Sequence, residues 1–185
     1  ALAYILGDGR MAASRDKIDE NCIRPVFNDA DLFTIKVQVK TTGLSTVEDK
    51  YKAFIKQAIR ARKDYRGSGT PTMFTTEDAL TEMLLLEDGM GRQLYTDEAA
   101  LARKLRVAKI VTIPEMEGRK GAKGGDLAAV IVNLADYTVG ADKGGAVSRF
   151  DDFDIDFNAQ KYLIETRCSG ALTSPYSAMA IEWAA

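Results

Sequence analysis

The chain of 185 residues contains no histidine. Imidazole is the commonest general base in enzymes and the commonest metal ligand among side chains. Its absence excludes Ser-His-Asp and Cys-His nucleophiles, histidine-ligated zinc sites and histidine-ligated haem. Any catalysis would therefore depend on carboxylates, lysine, tyrosine or cysteine.

Cysteine and long apolar runs are also scarce. Cys22 and Cys168 are the only two cysteines and lie far apart in the chain. Disulfide scaffolds are short and dense in cysteine, so we expect both thiols to be reduced in a cytosolic protein. Apolar runs such as 127–134 are far shorter than the roughly 20 residues that span a bilayer. The sequence therefore predicts no membrane segment.

The overall composition is that of a globular protein, with 46% apolar and 28% charged residues. On a prior of about 150 residues per domain, the length fits one domain, or one domain with a small appendage. The first ten residues lack both an initiator methionine and the basic segment that opens a signal peptide. We expect a fragment or a processed product.

Apolar residues at helical spacing predict four helices. They cover residues 14–23, 46–65, 76–88 and 97–104. The second helix has the strongest signal, because Ser45 and Glu48 form a capping box ahead of about five turns of amphipathic pattern.

Strand patterns dominate the second half of the chain. Residues 33–40 alternate apolar and polar side chains, which is typical of a half-buried strand, and the apolar run 127–132 is typical of a central strand covered on both faces. Further strands are predicted over 71–74, 107–113, 150–157, 161–168 and 178–183. Helices and strands mix without a repeating strand-helix-strand unit, so the predicted fold class is α+β.

The densest carboxylate cluster lies in the predicted strand 150–157. Alternation places Asp152, Asp154 and Asp156 on one face and Phe153, Ile155 and Phe157 on the other. Such acids could hold Mg²⁺ or Mn²⁺, as Asp-x-Asp motifs do in metal-dependent transferases. The favoured interpretation is an exposed strand face kept charged against edge pairing, or one that meets a basic neighbour.

Two further features are weak signals for binding sites. The loop 117–125 has glycines and cations as phosphate cradles do, but it lacks the Gly-Lys-Ser/Thr ending of a P-loop, so a flexible loop is favoured. A basic patch at the end of the second predicted helix could contact nucleic acid phosphate, although a solvated or subunit-facing surface is favoured. Its residues are Lys56, Arg60, Arg62, Lys63 and Arg66.

Charge is arranged in blocks of alternating sign along the chain. Residues 46–66 carry seven cations and three anions, and 75–98 carry one cation and seven anions. Residues 99–123 carry seven cations and two anions, and 124–157 carry two cations and seven anions. Patches of opposite sign suit heterologous contacts between copies of one chain. Pairing within the chain is the equally weighted alternative.

The segments 16–26, 29–34 and 46–65 are followed in order by PTMFTTED at 71–78, LLLED at 84–88, GRQLY at 91–95 and the closing run 162–179. This order of segments resembles that of tailed-phage major capsid proteins of the Hong Kong phage fold. The resemblance implies a mixed β-sheet flanked by helices. It also implies a peripheral-domain segment over 1–45, N-terminally truncated, and an axial domain over 46–185 with return strands to the peripheral domain.

The family resemblance implies a structural protein with no catalytic activity, cofactor or metal. Its copies would form the pentamers and hexamers of an icosahedral shell around DNA, assembled in the bacterial cytoplasm and located in the virion capsid. Scaffolding protein, portal and packaged DNA are further expected partners. The family's N-terminal arm, extended loop and spine helix are not found as a full set, so no crosslinking chemistry is carried over.

Two other functions remain open: an encapsulin-like compartment shell, which shares the fold but encloses enzymes, and the Asp-rich metal-dependent transferase. For the shell, the charge blocks supply candidates for subunit contacts. These candidates are Lys56, Arg60, Arg62, Lys63, Glu77, Asp78, Asp152, Asp154 and Asp156.

Overall fold

The structure is a computed structural model that describes residues 24–141, 148–165 and 168–184. The predicted helix over 14–23, the Cys22 thiol and the Cys168 thiol lie outside the described part. The helices are α1 (Val47–Ala61), α2 (Glu77–Leu84) and α3 (Glu98–Leu105). The strands are β1 (Thr34–Lys40), β2 (Thr72–Thr75), β3 (Ile110–Thr112), β4 (Asp126–Val132), β5 (Tyr137–Ala141), β6 (Ser148–Asp154), β7 (Ala159–Glu165), β8 (Cys168–Leu172) and β9 (Ala178–Ala184).

A five-stranded mixed sheet forms the centre of the fold, in the order β1-β9-β4-β2-β3. β4 is antiparallel to both β9 and β2, whereas the outer pairs β1–β9 and β2–β3 are parallel. The α+β class is confirmed. β1, which precedes the expected domain boundary at residue 45, is part of the same sheet as the later strands.

β4 is buried on both of its faces. Ile131 faces a core shared with the helices, and Val130 and Val132 face a second core on the other side of the sheet. The register shifts between Leu127 and Ala129, so Ala128 is the extra residue of a β-bulge. Its carbonyl accepts a hydrogen bond from the Thr75 hydroxyl at 2.9 Å. The central, doubly covered strand expected over 127–132 is confirmed.

The three helices cover one face of the sheet. α1 buries Phe54, Ile55 and Ala58, and its Phe54 ring centroid lies 5.7 Å from that of Trp183 on β9. None of the helices in the described ranges is long and apolar enough to cross a membrane. The other face is covered by two 3₁₀ turns, Val26–Asn28 and Pro114–Met116, and by side chains of β5 and β8, while a third 3₁₀ turn, Leu134–Asp136, joins β4 to β5.

The helix bounds differ slightly from those predicted. Thr46, and not Ser45, caps α1 by accepting a hydrogen bond from the Asp49 N–H at 3.2 Å, and the helix has about four turns. Thr76 and Asp97 cap α2 and α3 in the same way. α2 ends at Leu84, before the predicted stop at Gly89, since the chain then turns into a closed loop.

The strand expected over 107–113 is shorter than predicted. Arg106 ends α3 in the left-handed conformation, with φ of 58°, and the Val107 N–H returns to the Ala102 carbonyl at 3.0 Å. This arrangement is a helix C-terminal motif. The motif takes up the start of the predicted strand, so only Ile110–Thr112 pair with β2.

The glycine-rich loop packs closely on β9 and is not a phosphate cradle. The Gly121 N–H donates to the Gly125 carbonyl at 2.7 Å, which closes a hairpin. The Lys123 N–H donates to both carboxylate oxygens of Glu182, at 3.2 and 3.1 Å, and Glu182 is fully buried. A Cβ on Gly121 would overlap the Glu182 side chain. The loop therefore covers a buried carboxylate.

We predict that Gly121→Ala lowers the free energy of unfolding by about 1–3 kcal/mol, because the added methyl overpacks the contact with Glu182. Gly89→Ala is the matched control, since a Cβ at Gly89 would meet nothing within 4 Å. Urea denaturation of both variants measures the difference. Equal stability of the two variants would contradict the close packing described here.

Candidate assembly surfaces

A β-ribbon forms the largest exposed apolar feature among the described residues. It consists of β6 and β7, which pair antiparallel in a two-stranded sheet. β5 and β8 pair antiparallel in another two-stranded sheet. Residues 155–158 form the turn between β6 and β7, and Asn158 has a φ of 48°. Residues 148–165 are called the ribbon below. β5 and β8 are not predicted from the sequence, and the strands predicted over 150–157 and 161–168 correspond to β6 and β7 with shifted ends.

The large apolar side chains of the ribbon face solvent, with exposed fractions between 51 and 83%. Contiguous exposed apolar surface marks an interaction site, and a two-stranded hairpin alone is at best marginally stable in water. The ribbon therefore has the properties of a surface that binds a partner. Its exposed apolar residues are Phe150, Phe153, Ile155, Phe157, Tyr162, Leu163 and Ile164.

Both faces of the ribbon carry apolar groups. Phe150 lies opposite Leu163 on one face. Phe153 shares the other face with Tyr162, whose ring lies 5.4 Å from the Arg149 guanidinium carbon. The alternation in the sequence predicts Phe153, Ile155 and Phe157 on one face only. Phe150 indicates a second apolar face, because it alternates with Asp152 and Asp154 along β6 and so lies on the same face as they do.

The aspartates of the ribbon are arranged differently from the prediction. Asp152 and Asp154 do share one face, but β6 ends at Asp154 and Asp156 lies in the turn. Asp154 pairs with Lys161 across the ribbon and accepts the Asp156 N–H at 3.1 Å. Among the described residues, no group of three side chains is arranged to hold a metal ion. The Asp154 carboxylate instead binds Lys161 on the neighbouring strand and a backbone N–H of the turn.

The end of α1 presents a cationic surface. Lys56, Arg60 and Lys63 are exposed, and none of their side chains has an ion-pair partner in the described part of the chain. Arg60 lies in the last turn of α1, where the helix dipole stabilises a cation. These three side chains are available to a partner.

Arg62 differs from its basic neighbours because its guanidinium binds within the subunit. Its Nη2 donates to the Arg106 carbonyl at 3.0 Å, at the end of α3, and its guanidinium carbon lies 4.3 Å from the centroid of the Tyr65 ring. Partial burial lowers the pKa of Arg62, and burial raises the pKa of the Tyr65 hydroxyl, helped by the Asp136 carboxylate. Arg62 thus joins α1 to α3.

Glu77 and Asp78 form an acidic surface at the start of α2. Both are exposed in the first turn, where the helix dipole favours negative charge. Partial burial, and then the nearby carboxylates of Glu82 and Asp78, raise the pKa of Tyr51 on α1. The Glu77 and Asp78 carboxylates have no ion-pair partner among the described residues.

The charge blocks are brought together only in part. Lys120 and Asp126, from two adjacent blocks, pair at 2.5 Å, so pairing within the chain accounts for some of the alternation. Lys52 and Glu48, at 3.1 Å, belong to one block. No ion pair joins the cations of α1 to the ribbon aspartates in the described ranges. Contacts at the candidate interface residues stay a prediction.

Comparisons with known proteins bear on the fold. No protein-family model and no curated protein sequence matches the chain. Solved structures do match. The capsid of an empty GTA particle aligns with 99% of this chain at a TM-score of 0.56 and 16% identity.

Two other solved structures support the same likeness. A virus-like particle from Pyrococcus furiosus aligns with 88% of the chain at a TM-score of 0.50 and 11% identity. The mature capsid of bacteriophage PhiM1 aligns with 80% at a TM-score of 0.50 and 14% identity. The chain has a phage capsid fold. It spans 60, 61 and 51% of the lengths of the three matched chains. The fold expected from the sequence resemblance is confirmed.

Within this capsid fold, we predict that Arg62→Ala lowers the free energy of unfolding by about 1–2 kcal/mol, through loss of the bond to Arg106 and of contact with Tyr65. Lys63→Ala, at an exposed neighbour, should change stability by less than about 0.5 kcal/mol. Thermal and urea denaturation compare the variants. A neutral Arg62→Ala would show that the guanidinium does not hold α1 to α3.

Proposed function

We propose that this chain is the shell-forming part of a phage or prophage major capsid protein, and that its role is structural. The observation that carries the proposal is the ribbon, an apolar hairpin exposed on both faces in a chain with a capsid fold. A lone subunit leaves this surface in water, whereas a shell covers it with neighbouring copies.

The ribbon is proposed to lie against neighbouring subunits. Because apolar groups occupy both of its faces, one flat contact would bury only half of them. A position between two neighbours buries both faces, and such contacts use a different surface on each partner, as closed rings of identical subunits require. The apolar side chains supply the binding energy.

Charged surfaces are proposed to guide the approach of neighbours. Lys56, Arg60 and Lys63 form a free cationic surface, and Asp152 and Asp156 are exposed acids on the ribbon. Opposite patches speed association and fix register more than they add affinity. Glu77 and Asp78 are the second acidic candidate. Asp154 contributes less, since Lys161 already pairs with it.

The domain assignment is also a proposal. The sheet and its helices correspond to the axial domain, with the ribbon as return strands to the peripheral domain. Because β1 pairs with β9 along its full length, we propose that the axial domain begins at or before Thr34 and not at residue 46.

In this role the subunits form pentamers and hexamers of an icosahedral shell around packaged DNA. Scaffolding protein and portal are the further proposed partners. Assembly takes place in the bacterial cytoplasm, and the mature location is the virion capsid.

A compartment shell of the encapsulin type, which would share the fold, is the second candidate. The two differ in cargo. Nuclease-protected DNA inside purified particles supports the capsid role, whereas a co-purifying enclosed enzyme without DNA supports the compartment.

We predict that Phe157→Ser weakens assembly without unfolding the subunit. Phe157 is exposed in the ribbon turn, so its loss costs little stability in the monomer. Loss of a buried contact of about 2 kcal/mol at each interface raises the critical concentration of assembly roughly 30-fold. Light scattering against concentration measures this change.

Val47→Ser is the control, because Val47 is also an exposed apolar residue, at 51%, but lies at the start of α1 and not in the ribbon. It should assemble like the parent protein. If Phe157→Ser and Val47→Ser assembled alike, the ribbon would not be the assembly surface.

A further inference from the structure

The segment between α2 and α3 is a closed loop with a fixed shape. The Asp88 carboxylate accepts the N–H groups of Met90 and Arg92, at 2.8 and 3.1 Å. The Leu94 N–H donates to the Leu86 carbonyl at 2.8 Å and closes the loop at its base. The backbone between these bonds therefore has one defined course.

Met90 lies at the tip of this loop and is 80% exposed. Because the hydrogen-bonded loop keeps this apolar side chain in solvent, the side chain does not stabilise its own subunit. Methionine is flexible and polarisable, and such side chains are common at surfaces that adapt to a partner. The tip has the form of a small apolar knob.

An open cleft of about 450 Å³ lies beside the base of the same loop. Leu94, Tyr95 and Ala100 give it apolar walls, and Arg103 and Lys104 add two cations. The Arg103 Nε donates to the Ala99 carbonyl at 3.2 Å, which keeps this side chain along α3. Since Met90 of the same subunit is almost wholly in solvent, that side chain does not fill the cleft.

We propose that Met90 of a second copy of this chain occupies the cleft. The knob and the cleft are complementary in polarity, since an apolar tip meets apolar walls. They are also complementary in charge: Glu87 and Asp88 flank the tip, with Arg92 as the one cation of the loop, and Arg103 and Lys104 belong to the cleft. This contact rests on the proposed self-association and names one of its interfaces.

The two partners contribute different surfaces, so the contact is heterologous. Each subunit gives a knob to one neighbour and receives a knob from another, which closes a ring when the rotation between neighbours divides a full turn. The loop contact is separate from the ribbon.

Engineered disulfides test the contact directly, because they form only when Cα atoms come within about 7 Å. In a background with Cys22 and Cys168 replaced by alanine, one batch carries Met90→Cys and another carries Ala100→Cys. The two are mixed as subunits, allowed to assemble and oxidised mildly. We expect crosslinked dimers in the mixture and none in either batch alone.

A mixture of Thr42→Cys with Ala100→Cys is the control, since Thr42 is exposed in a loop after β1 and should give no crosslink. Crosslinking of Met90→Cys to itself would overturn the proposal by showing a tip-to-tip contact. Particles that assemble without the mixed crosslink would overturn the knob contact and leave the proposed function standing. Subunits that neither assemble nor crosslink would contradict both.

A charge exchange gives a second measurement that needs no cysteine. Glu87→Arg places a cation opposite Arg103 and Lys104, and we expect it to raise the concentration needed for ring formation about tenfold. Adding Arg103→Glu should restore most of that loss. Equal assembly of the parent, the single variant and the double variant would overturn the proposal.

Discussion

Burial of one strand on both of its faces is the constraint on which the fold depends. β4 is apolar from Leu127 to Val132, so both of its faces must be covered. The helices cover one side and 3₁₀ turns with β5 and β8 cover the other. β9 lies next to β4 and is buried in the same way from Ala178 to Ile181. Because both faces of the sheet are buried within the subunit, contacts between subunits must be made by elements outside the sheet.

The sequence predicts the elements that carry strong local signals. α1, α3, β1, β4 and β9 follow from apolar period and capping residues, because in these segments local preference and tertiary burial agree. The observed helix ends differ from the predicted ones where a neighbouring residue forms the capping hydrogen bond, as Thr46 does in place of Ser45 at the start of α1. β5 and β8 give no such signal, since glycine and small residues at 139–141 and 168–171 blur the alternation and their pairing joins residues about 30 positions apart.

The candidate site is predictable only in part. The charged groups at Lys56, Arg60, Lys63, Glu77 and Asp78 are exposed as expected, but a sequence cannot show that the Arg62 guanidinium reaches the Arg106 carbonyl. Nor does it show the exposure of the ribbon, because the phenylalanines between aspartates have the pattern of a strand with one buried face. An apolar side chain is recognised as a binding group only when the folded chain leaves it uncovered.

Hydroxyl-radical footprinting of the subunit before and after assembly tests most directly whether the ribbon is the assembly surface. We predict that oxidation of Phe150, Phe157 and Tyr162 falls at least about tenfold in the particle, because neighbouring copies cover the ribbon. Oxidation of Val47, exposed and away from the ribbon, should change little. Equal oxidation of the three ribbon side chains in free subunit and particle would contradict the claim that the ribbon is the assembly surface.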